Sequence, residues 1–408
     1  MKITVHPHPI GGRVTAPPSK SHVHRLLIAA ALCDGQETAI HCPGENEDIA
    51  ATARCLSALN TEICREGDWF RVTRDQPIHR FPARRPLDCG ESGSTLRFLL
   101  PLCAVKPYTT NAPIALTGAG RLPARPNGPL LEALRAHGAR IHGDFLPLTV
   151  EGGLLSGDFA LPGDVSSQYF SGLLFALPLL KGDSTLRYAS PLQSMPYVEL
   201  TLSVLRQFGI VVHPMADGWR IPGDQRYRSP GTAEAEGDWS AAAFWLGANA
   251  LKNAVTVDGL DPASCQGDKA AEGMLKKIGG DIDVTDTPDL MPILAAAAAA
   301  IPGQTTRITG AARLRLKESD RLAAMAETIL ALGGDARETP DGLVIRGRSL
   351  RGGTVDGKND HRIVMSAAIA ATACQNEVTI LGAEAVNKSY PRFWEDFQAL
   401  GGSVDVGF

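Results

Sequence analysis

The chain alternates between two hydrophobic patterns, and each of them recurs six times. In the first pattern, apolar residues repeat every three or four positions on one face, which predicts an amphipathic helix lying on a core. A Gly follows the helix in five of the six copies, where a left-handed C-cap residue is favoured, and a β-rich stretch comes next. The six segments are 48–63, 127–142, 197–213, 267–284, 319–337 and 392–406.

The second pattern is apolar on nearly every face, which predicts helices enclosed within a core. Alternating surface helices, buried helices and short strands predict an α/β chain of six similar supersecondary units. Three units in each half would give two pseudo-symmetric domains. The six apolar segments are 19–32, 92–105, 166–180, 239–251, 288–301 and 359–373.

The polar residues of the buried helices gather at or just before the first turn. Ser, Asp and Asn there can cap unpaired N–H groups, but capping does not account for Lys20, Arg25, Arg97 and Arg362. A cation near a helix N-terminus opposes the helix dipole unless an anion is bound there as well. These residues therefore predict that several helix starts face a cleft between the two halves and bind a phosphate-bearing ligand.

Two short segments supply more specific candidates. Ser21 and Arg25 are four residues apart and share a helix face, as phosphate binding requires, although a solvated helix start would show the same spacing. Lys317 and Arg321 are also four apart, and Glu318 lies beside both. A carboxylate held between cations can donate or accept a proton. A surface ladder of ion pairs is the alternative interpretation.

Asp289 stands alone before the all-apolar stretch MPILAAAAAAI, and helix capping is its simplest role. Arg121, Arg125 and Lys388 are further basic candidates, none of which is diagnostic alone. The histidines fit no metal-ligand spacing, so we expect no metal site. The chain also contains neither a phosphate-binding GxxxxGK[ST] loop nor a GxGxxG turn after a strand.

Composition narrows the class of protein. The 408 residues are 44% hydrophobic and 21% charged, which is typical of a globular protein of two or three domains. A net charge of −4 gives no general basic surface for nucleic acid. We find no signal peptide, and the longest apolar run, 293–301, is too short to span a membrane. Eight scattered cysteines without a CxxC pair indicate reduced thiols in a cytoplasmic protein.

An ordered series of motifs resembles the EPSP synthase family over about residues 13–397. The resemblance implies an inverted, barrel-like α/β fold of two domains, each built from three βαβαββ units, with the active site in the interdomain cleft. The domains would be 1–17 with 232–408, and 18–231. The motifs are PPSKSHVHR, GESGSTLR, LTGAGRLPARP, VSSQ, SMPY, SPGT, EGDWSAA, LKESDRL, KNDHR and NKSYP.

The resemblance also implies an activity: transfer of the enolpyruvyl group of phosphoenolpyruvate to the 5-hydroxyl of shikimate 3-phosphate, with release of phosphate. The reaction belongs to the shikimate pathway and proceeds by addition and elimination through a tetrahedral intermediate. Asp289 would act as base toward the 5-hydroxyl, and Glu318 with Lys20 would handle the protons at C3. No cofactor is implied. We expect a monomer with two small-molecule substrates, and the herbicide glyphosate as a competitor of phosphoenolpyruvate.

Carried over position by position, the resemblance implies two groups of substrate contacts. Gln168 would lie between the two substrates. Glu91, Arg313 and Phe98 depart from residues common in the family, and Glu91 adds a negative charge beside an anion site. The contacts of shikimate 3-phosphate would be Ser21, Arg25, Ser166, Ser167, Gln168, Ser194 and Lys317. Those of phosphoenolpyruvate would be Lys20, Gly93, Arg121, Gln168, Arg321, Arg362 and Lys388.

Two other functions are weighed against this one. UDP-N-acetylglucosamine enolpyruvyl transferase shares the implied fold and donor, but the stretch 116–126 lacks the reactive Cys that its mobile loop usually carries. A non-catalytic anion-binding protein on the same scaffold would have lost some of Lys20, Asp289, Glu318 and Lys388. All four are present.

Overall fold

The computed structural model describes residues 1–74, 85–105 and 113–407. The chain divides into two compact units, Met1–Ser19 with Glu236–Phe408 (unit 1) and Lys20–Ala235 (unit 2). Each unit has an apolar core of its own. The chain therefore passes from one unit to the other twice, two to four residues after the boundaries at 17/18 and 231/232 that the sequence suggested.

Both kinds of predicted helix are present and alternate along the chain. The odd-numbered helices are the enclosed ones: in α9, for example, every residue from Met291 to Ala299 is buried. The even-numbered helices bury one face only. The helices are α1 (Lys20–Ala31), α2 (Glu47–Ala58), α3 (Gly93–Ala104), α4 (Gly128–Ala136), α5 (Ser167–Ala176), α6 (Met195–Gln207), α7 (Trp239–Ala250), α8 (Ala271–Leu275), α9 (Met291–Ala300), α10 (Arg321–Ala331), α11 (His361–Ala371) and α12 (Phe393–Ala399).

Unit 1 contains three sheets, with strand orders β15-β2, β16-β17-β19-β18 and β20-β21-β1-β22. In each four-stranded sheet the first two strands are parallel and the remaining pairs are antiparallel. The strands are β1 (Lys2–His6), β2 (Gly11–Thr15), β15 (Ala254–Asp258), β16 (Asp281–Asp283), β17 (Thr305–Thr309), β18 (Asp335–Thr339), β19 (Gly342–Arg346), β20 (Gly353–Asp356), β21 (Val378–Leu381) and β22 (Ser403–Gly407).

Unit 2 repeats the four-stranded arrangement three times, with orders β14-β3-β5-β4, β6-β7-β9-β8 and β10-β11-β13-β12. Two of the parallel pairs, β6/β7 and β10/β11, are joined through the enclosed helices α3 and α5. In the third parallel pair, β14 is about 190 residues after β3 in the chain. The strands are β3 (Thr38–His41), β4 (Glu62–Glu66), β5 (Trp69–Thr73), β6 (Leu87–Asp88), β7 (Ile114–Thr117), β8 (Arg140–His142), β9 (Leu148–Gly152), β10 (Asp158–Leu161), β11 (Ser184–Tyr188), β12 (His213–Met215), β13 (Gly218–Ile221) and β14 (Thr232–Glu234).

The predicted βαβαββ unit is complete in five cases, and the sixth is reduced. The unit built on β2, α7, β15 and α8 has two parallel strands and no hairpin in the residues described. Only residues 276–280 separate α8 from β16, which already belongs to the next sheet. That length is too short for two more strands, so this repeat consists of its βαβα part alone, and the predicted fold is otherwise confirmed.

The surface helices end as the sequence pattern indicates. The glycines that follow five of them, Gly138, Gly209, Gly279, Gly333 and Gly401, all have left-handed φ angles between 76° and 96°. The helix without a Gly, α2, is followed instead by Asn60 at φ 61°. After Gly, Asn is the residue that most readily adopts the left-handed conformation. All six turns therefore have a left-handed residue after the helix.

All eight cysteines lie in the described ranges, and each is a thiol that takes part in no disulfide. Only Cys64 and Cys265 are exposed. Over those same ranges, no helix is both long enough and apolar enough to cross a membrane.

The starts of α3 and α5 pack so closely that a glycine is needed between them. A Cβ atom added to Gly172 of α5 would come closer than 3.0 Å to the backbone carbonyl oxygen of Arg97 in α3. The conflict is with main chain, which cannot rotate away as a side chain can.

We expect Gly172→Ala to lower the free energy of unfolding by about 1–3 kcal/mol, because α3 and α5 must separate. Gly273→Ala in α8 is the matched control, since its Cβ would meet nothing within 4 Å. There, the better helix propensity of Ala should leave stability unchanged or raise it by up to about 1 kcal/mol. Urea titration followed by circular dichroism measures both variants, and equal midpoints would contradict the steric argument.

Candidate active site

The starts of three helices converge within unit 1. Asp289 lies in the 3₁₀ turn Pro288–Leu290 that leads into α9. Arg321 is the first residue of α10, and Asp360 caps the N-terminus of α11 by accepting a hydrogen bond from the backbone N–H of Arg362 at 3.0 Å. Each position is set by a helix boundary, so the polar ends of two enclosed helices, α9 and α11, and of one surface helix, α10, meet in one cluster.

The guanidinium group of Arg321 lies at the centre of this cluster and is only 2% exposed. Its Nη1 donates to Asp289 Oδ1 at 2.8 Å and its Nη2 to Glu318 Oε2 at 2.7 Å. Its Nε donates to Oδ2 of Asp360, also at 2.8 Å, and Ser319 donates to the same oxygen at 2.9 Å. Burial opposes the charge on Arg321, but the three carboxyl groups outweigh burial and raise its pKa.

Asp289 is held by two further cations. Arg362 donates to its Oδ2 at 3.1 Å and to its backbone oxygen at 2.9 Å. The Nζ of Lys317 is 3.8 Å from its Oδ1. Burial of the carboxyl opposes ionisation, but Arg362, Lys317 and Arg321 together hold the pKa of Asp289 well below its usual range. The carboxylate is therefore ionised at neutral pH.

A second buried carboxyl group in unit 1 has the opposite character. Asp268, in the 3₁₀ turn Gly267–Ala270, accepts a hydrogen bond from the hydroxyl of Ser240 in α7. Burial first, and the charge of Asp289 second, raise the pKa of Asp268 to about 6. The unit thus holds two interacting carboxyl groups whose environments move their pKa values apart, which is a common feature of acid–base sites.

These contacts correct three sequence-based interpretations. Asp289 is not a helix cap, because Thr287 holds the N-cap position of its turn and the Asp289 carboxylate binds guanidinium groups instead. Lys317 and Arg321 do not share a helix face, since Lys317 is extended at φ −90° and ψ −157° before α10 begins. The segment is also no surface ladder, because Arg321 is buried. Lys388 donates to the backbone oxygen of Asn359, just before α11, at 2.7 Å.

Unit 2 holds a buried cation among neutral groups. Arg25 in α1 is 1% exposed, so the alternative of a solvated helix start is wrong for this residue. It donates to the backbone oxygens of Ser21 and Tyr197 and to the hydroxyls of Thr201 and Ser171, at 2.6, 2.8, 2.8 and 3.4 Å. Burial lowers its pKa to about 9, so Arg25 still carries its charge at neutral pH.

The starts of α3 and α5 share a second polar network in unit 2. Arg97 donates to Gln168 Oε1 at 2.7 Å, to Asn127 Oδ1 and to the backbone oxygen of Pro126, both at 3.0 Å. The amide nitrogen of Gln168 donates to Ser94 Oγ at 2.9 Å. Gln168, predicted to lie between the substrates, is thus oriented from both sides.

The remaining predicted residues of unit 2 lie at other helix boundaries. Lys20 begins α1 and pairs with Asp48 of α2 at 2.8 Å. Ser166 caps α5 by accepting from the backbone N–H of Gln168, and Ser167 is the buried first residue of that helix. Ser194 precedes α6 in the left-handed conformation at φ 58°. Arg121 is exposed before the 3₁₀ turn Leu122–Ala124 and is not brought into either polar network described for this unit.

The turn before α3 explains two unusual residues. A Cβ added to Gly93 would meet the Arg125 guanidinium at 2.9–3.0 Å, so Arg125 occupies the space that the missing side chain leaves. Glu91, whose charge was unexpected here, lies against Gly120, which has a left-handed φ of 56°. Phe98 is fully buried beneath the Arg25 guanidinium, 4.9 Å from its ring centroid.

Sequence reasoning missed the residues that hold the cations in place. Asp360 was visible only as a helix cap, although its second oxygen binds Arg321. Asp48 and Thr201 lie on helices whose polar positions had no apparent function. The only sign of them in the sequence is a polar residue on the buried side of an amphipathic helix. That sign does not identify the partner, which is 28 residues away for Asp48 and 176 residues away for Thr201.

Fold and site together define an α/β enzyme whose enclosed helices present cations and carboxylates at their N-termini, an arrangement suited to anionic substrates. The profile of the EPSP synthase family, described as 3-phosphoshikimate 1-carboxyvinyltransferase, matches residues 5–397. The chain belongs to this family. Its class is that of the enolpyruvyl transferases, and its pathway is the shikimate pathway.

Similar proteins cover the whole chain. The 3-phosphoshikimate 1-carboxyvinyltransferase of Clostridium acetobutylicum is 39% identical over 98% of both chains. The enzyme of the same name from Halobacterium salinarum is 41% identical, over 99% of this chain and 100% of its own. The solved structure of EPSP synthase from Acinetobacter baumannii superposes with a TM-score of 0.82 at 26% identity, with full coverage of both chains.

The ion cluster predicts an acid-sensitive unit 1. Arg321 and its neighbours hold the pKa values of Asp289 and Asp360 below their usual range, against the effect of burial. Their stabilising contribution is therefore complete above the unfolded pKa of about 4 and is lost as the pH falls through the lower folded values. We expect the urea midpoint, read from the buried Trp245, to fall between pH 4 and pH 2.5.

Asp360→Asn should lower the free energy of unfolding at pH 7 by about 3–5 kcal/mol, because it removes one of the three carboxylate partners of a buried guanidinium. The difference from the unaltered protein should close as the pH falls. Asp281→Asn, at an exposed carboxylate of β16, is the control and should keep the full acid dependence. If Asp360→Asn and the unaltered protein differed by the same free energy of unfolding at every pH, the dependence of stability on the ionised Asp360 would be contradicted.

Proposed function

We propose that the chain transfers the enolpyruvyl group of phosphoenolpyruvate to the 5-hydroxyl of shikimate 3-phosphate, with residues of both units taking part. The observation that carries the proposal is the Arg321 cluster, which places ionisable carboxyl groups in direct contact with buried cations. Anionic substrates need the cations, and proton transfer needs the carboxyl groups. The two compact units are proposed to be the two domains of the enzyme.

Two sets of residues are proposed to bind the substrates. The hydroxyls, amide and cations at the starts of α1, α5 and α6, together with Lys317, would bind shikimate 3-phosphate. Buried Arg25 supports this assignment. Its hydrogen-bonding partners are neutral, so its positive charge is available to bind an anion. The shikimate 3-phosphate set is Ser21, Arg25, Ser166, Ser167, Gln168, Ser194 and Lys317. The phosphoenolpyruvate set is Lys20, Gly93, Arg121, Gln168, Arg321, Arg362 and Lys388.

Asp289 is proposed as the base that takes the proton of the 5-hydroxyl. Without substrate it is ionised but weakly basic, because Arg321 and Arg362 donate to both of its oxygens. A substrate anion that accepts hydrogen bonds from these guanidinium groups draws them away from the carboxylate. The pKa of Asp289 then rises, and the base strengthens only when both substrates are in place.

Glu318 and Lys20 are proposed to move the protons at C3 of the enolpyruvyl group. Glu318 is anchored through one oxygen to Arg321, at 2.7 Å, and its side chain is 17% exposed. Lys20 has a similar geometry, paired with Asp48 while 16% exposed. Each group is thus paired with a buried or half-buried partner of opposite charge and is itself partly exposed. Protonation of C3 and later loss of its proton complete the addition and elimination.

Further expectations belong to the same proposal. The enzyme is proposed to act as a monomer on its two small-molecule substrates, without a cofactor, and in the reducing cytoplasm, where its unpaired thiols are stable. Glyphosate is proposed to compete with phosphoenolpyruvate beside Gly93.

A phosphate-release assay with phosphoenolpyruvate tests the function. We expect phosphate release with shikimate 3-phosphate as acceptor and none with UDP-N-acetylglucosamine. Calorimetric titration with shikimate 3-phosphate alone should show binding at one site per chain. Binding without turnover would favour a non-catalytic anion-binding protein, and turnover with the UDP-sugar would favour the other transferase.

Asp289→Asn tests the base. We expect kcat to fall by about 10² to 10⁴, because the amide cannot accept the hydroxyl proton. The affinity for shikimate 3-phosphate should stay within a few-fold. Asp281→Asn, on the same unit but exposed, should leave both constants unchanged. A near-normal kcat in Asp289→Asn would reduce Asp289 to an anchor for the two arginines.

A further inference from the structure

The two segments that connect the units pair with each other. The backbone N–H of Ser19 donates to Glu236 O at 2.7 Å, and that of Asp238 donates to Pro17 O at 2.8 Å. Between them, Pro18 and Gly237 form an antiparallel bridge. The two crossovers thus form a short ribbon, immediately before α1 on one strand and α7 on the other.

A single buried amide, Gln266, is bonded to both strands of this ribbon. Its Oε1 accepts from Ser19 Oγ and from the backbone N–H of Trp239, both at 3.1 Å. Its Nε2 donates to the Glu236 carboxylate and to Gly237 O, both at 2.9 Å. Gln266 is only 7% exposed, so each of these bonds is made away from bulk water.

The orientation of the amide is fixed by main-chain groups. The N–H of Trp239 can only donate and the carbonyl of Gly237 can only accept, so the oxygen and nitrogen of Gln266 cannot be exchanged. Ser264 donates to the same Glu236 carboxylate and also accepts from the backbone N–H of Gln266. A side chain without both a donor and an acceptor would break the network.

The same segment reaches the cluster around Asp289. Two residues after Gln266, Asp268 accepts a hydrogen bond from the hydroxyl of Ser240 near the start of α7. The charge of Asp289 helps to raise the pKa of Asp268. One strand of the ribbon leads directly into Lys20. The stretch 264–268 is therefore hydrogen-bonded to both crossovers and carries a carboxyl group that interacts electrostatically with Asp289.

We propose that Gln266 is a positioning residue for the transferase reaction, holding both crossovers in register and thereby setting the place of Lys20 and of the start of α7. The inference rests on the proposed function for its effect on turnover. Gln266 itself need touch no substrate.

The test is an exchange of the amide and the carboxylate. Gln266→Glu puts two carboxylates within hydrogen-bond distance and leaves Gly237 O without its donor, so kcat should fall about 10- to 100-fold. In Glu236→Gln the amide oxygen can still accept from Ser264 and Gln266, so kcat should stay within about threefold of the unaltered value. The double variant restores a donor between positions 236 and 266 and should recover at least half of the loss on a logarithmic scale.

A calorimetric stoichiometry for shikimate 3-phosphate normalises each kcat to folded sites, so that a smaller folded fraction is not read as slower chemistry. Gln225→Glu is the matched control, because Gln225 also pairs with backbone N–H and C=O groups, at Val211, but in unit 2. It should keep kcat. The proposal is overturned if the kcat of Gln266→Glu stays within threefold of the unaltered value, or if Gln225→Glu lowers kcat by as much as Gln266→Glu does. It is also overturned if the kcat of the double variant is no higher than that of Gln266→Glu.

A readout independent of turnover is the exposed thiol of Cys265, next to Gln266. In a Cys64→Ser background, Gln266→Glu should speed the reaction of Cys265 with an aromatic disulfide reagent severalfold, and the double variant should reverse the change. If Cys265 reacted at the same rate with and without Gln266→Glu, the positioning role of Gln266 would be contradicted. If the unaltered chain released no phosphate, the proposed function would fail while this measurement still decided the role of Gln266.

Discussion

The buried guanidinium of Arg321 is the interaction on which the site in unit 1 depends. A charge that is 2% exposed is tolerated only when paired and hydrogen-bonded on every side. Its carboxyl partners come from three separate places, the turn before α9, the loop before α10 and the cap of α11. Because all three must reach one group, the starts of these helices are fixed relative to one another to within a hydrogen-bond length.

The two units manage their cations differently. In unit 1, Lys317, Arg321 and Arg362 are compensated by protein carboxylates, so a ligand must exchange places with an internal partner. In unit 2, Arg25 is surrounded by hydroxyls, carbonyl oxygens and the ring of Phe98. Its charge is solvated but not neutralised, which favours an external anion. The charge of Arg321 is thus paired within the protein, whereas the charge of Arg25 is hydrogen-bonded to neutral groups.

The repeated fold brings polar groups together at the helix starts in both units. Each enclosed helix is apolar along its body, so its only polar surface is its N-terminal end, where N–H groups, caps and cations gather. Repetition places several such ends in each unit without requiring any long polar surface inside the core. The reduced repeat of β2, α7, β15 and α8 also contains the segment 264–268, between β15 and α8, which is hydrogen-bonded to the crossovers.

The sequence by itself determined the element types, their alternation, the six helix-ending turns and the family, because these depend on local periodicity, on the φ angles open to Gly and Asn, and on ordered motifs. It also supplied the candidate residues at the helix starts, whose catalytic and binding roles stay predictions. Only the tertiary structure decided their partners. Capping was the simplest local role of Asp289, but its carboxylate accepts hydrogen bonds from Arg321 and Arg362, which are 32 and 73 residues away. A pairing of that kind depends on how elements pack, and no local pattern encodes it.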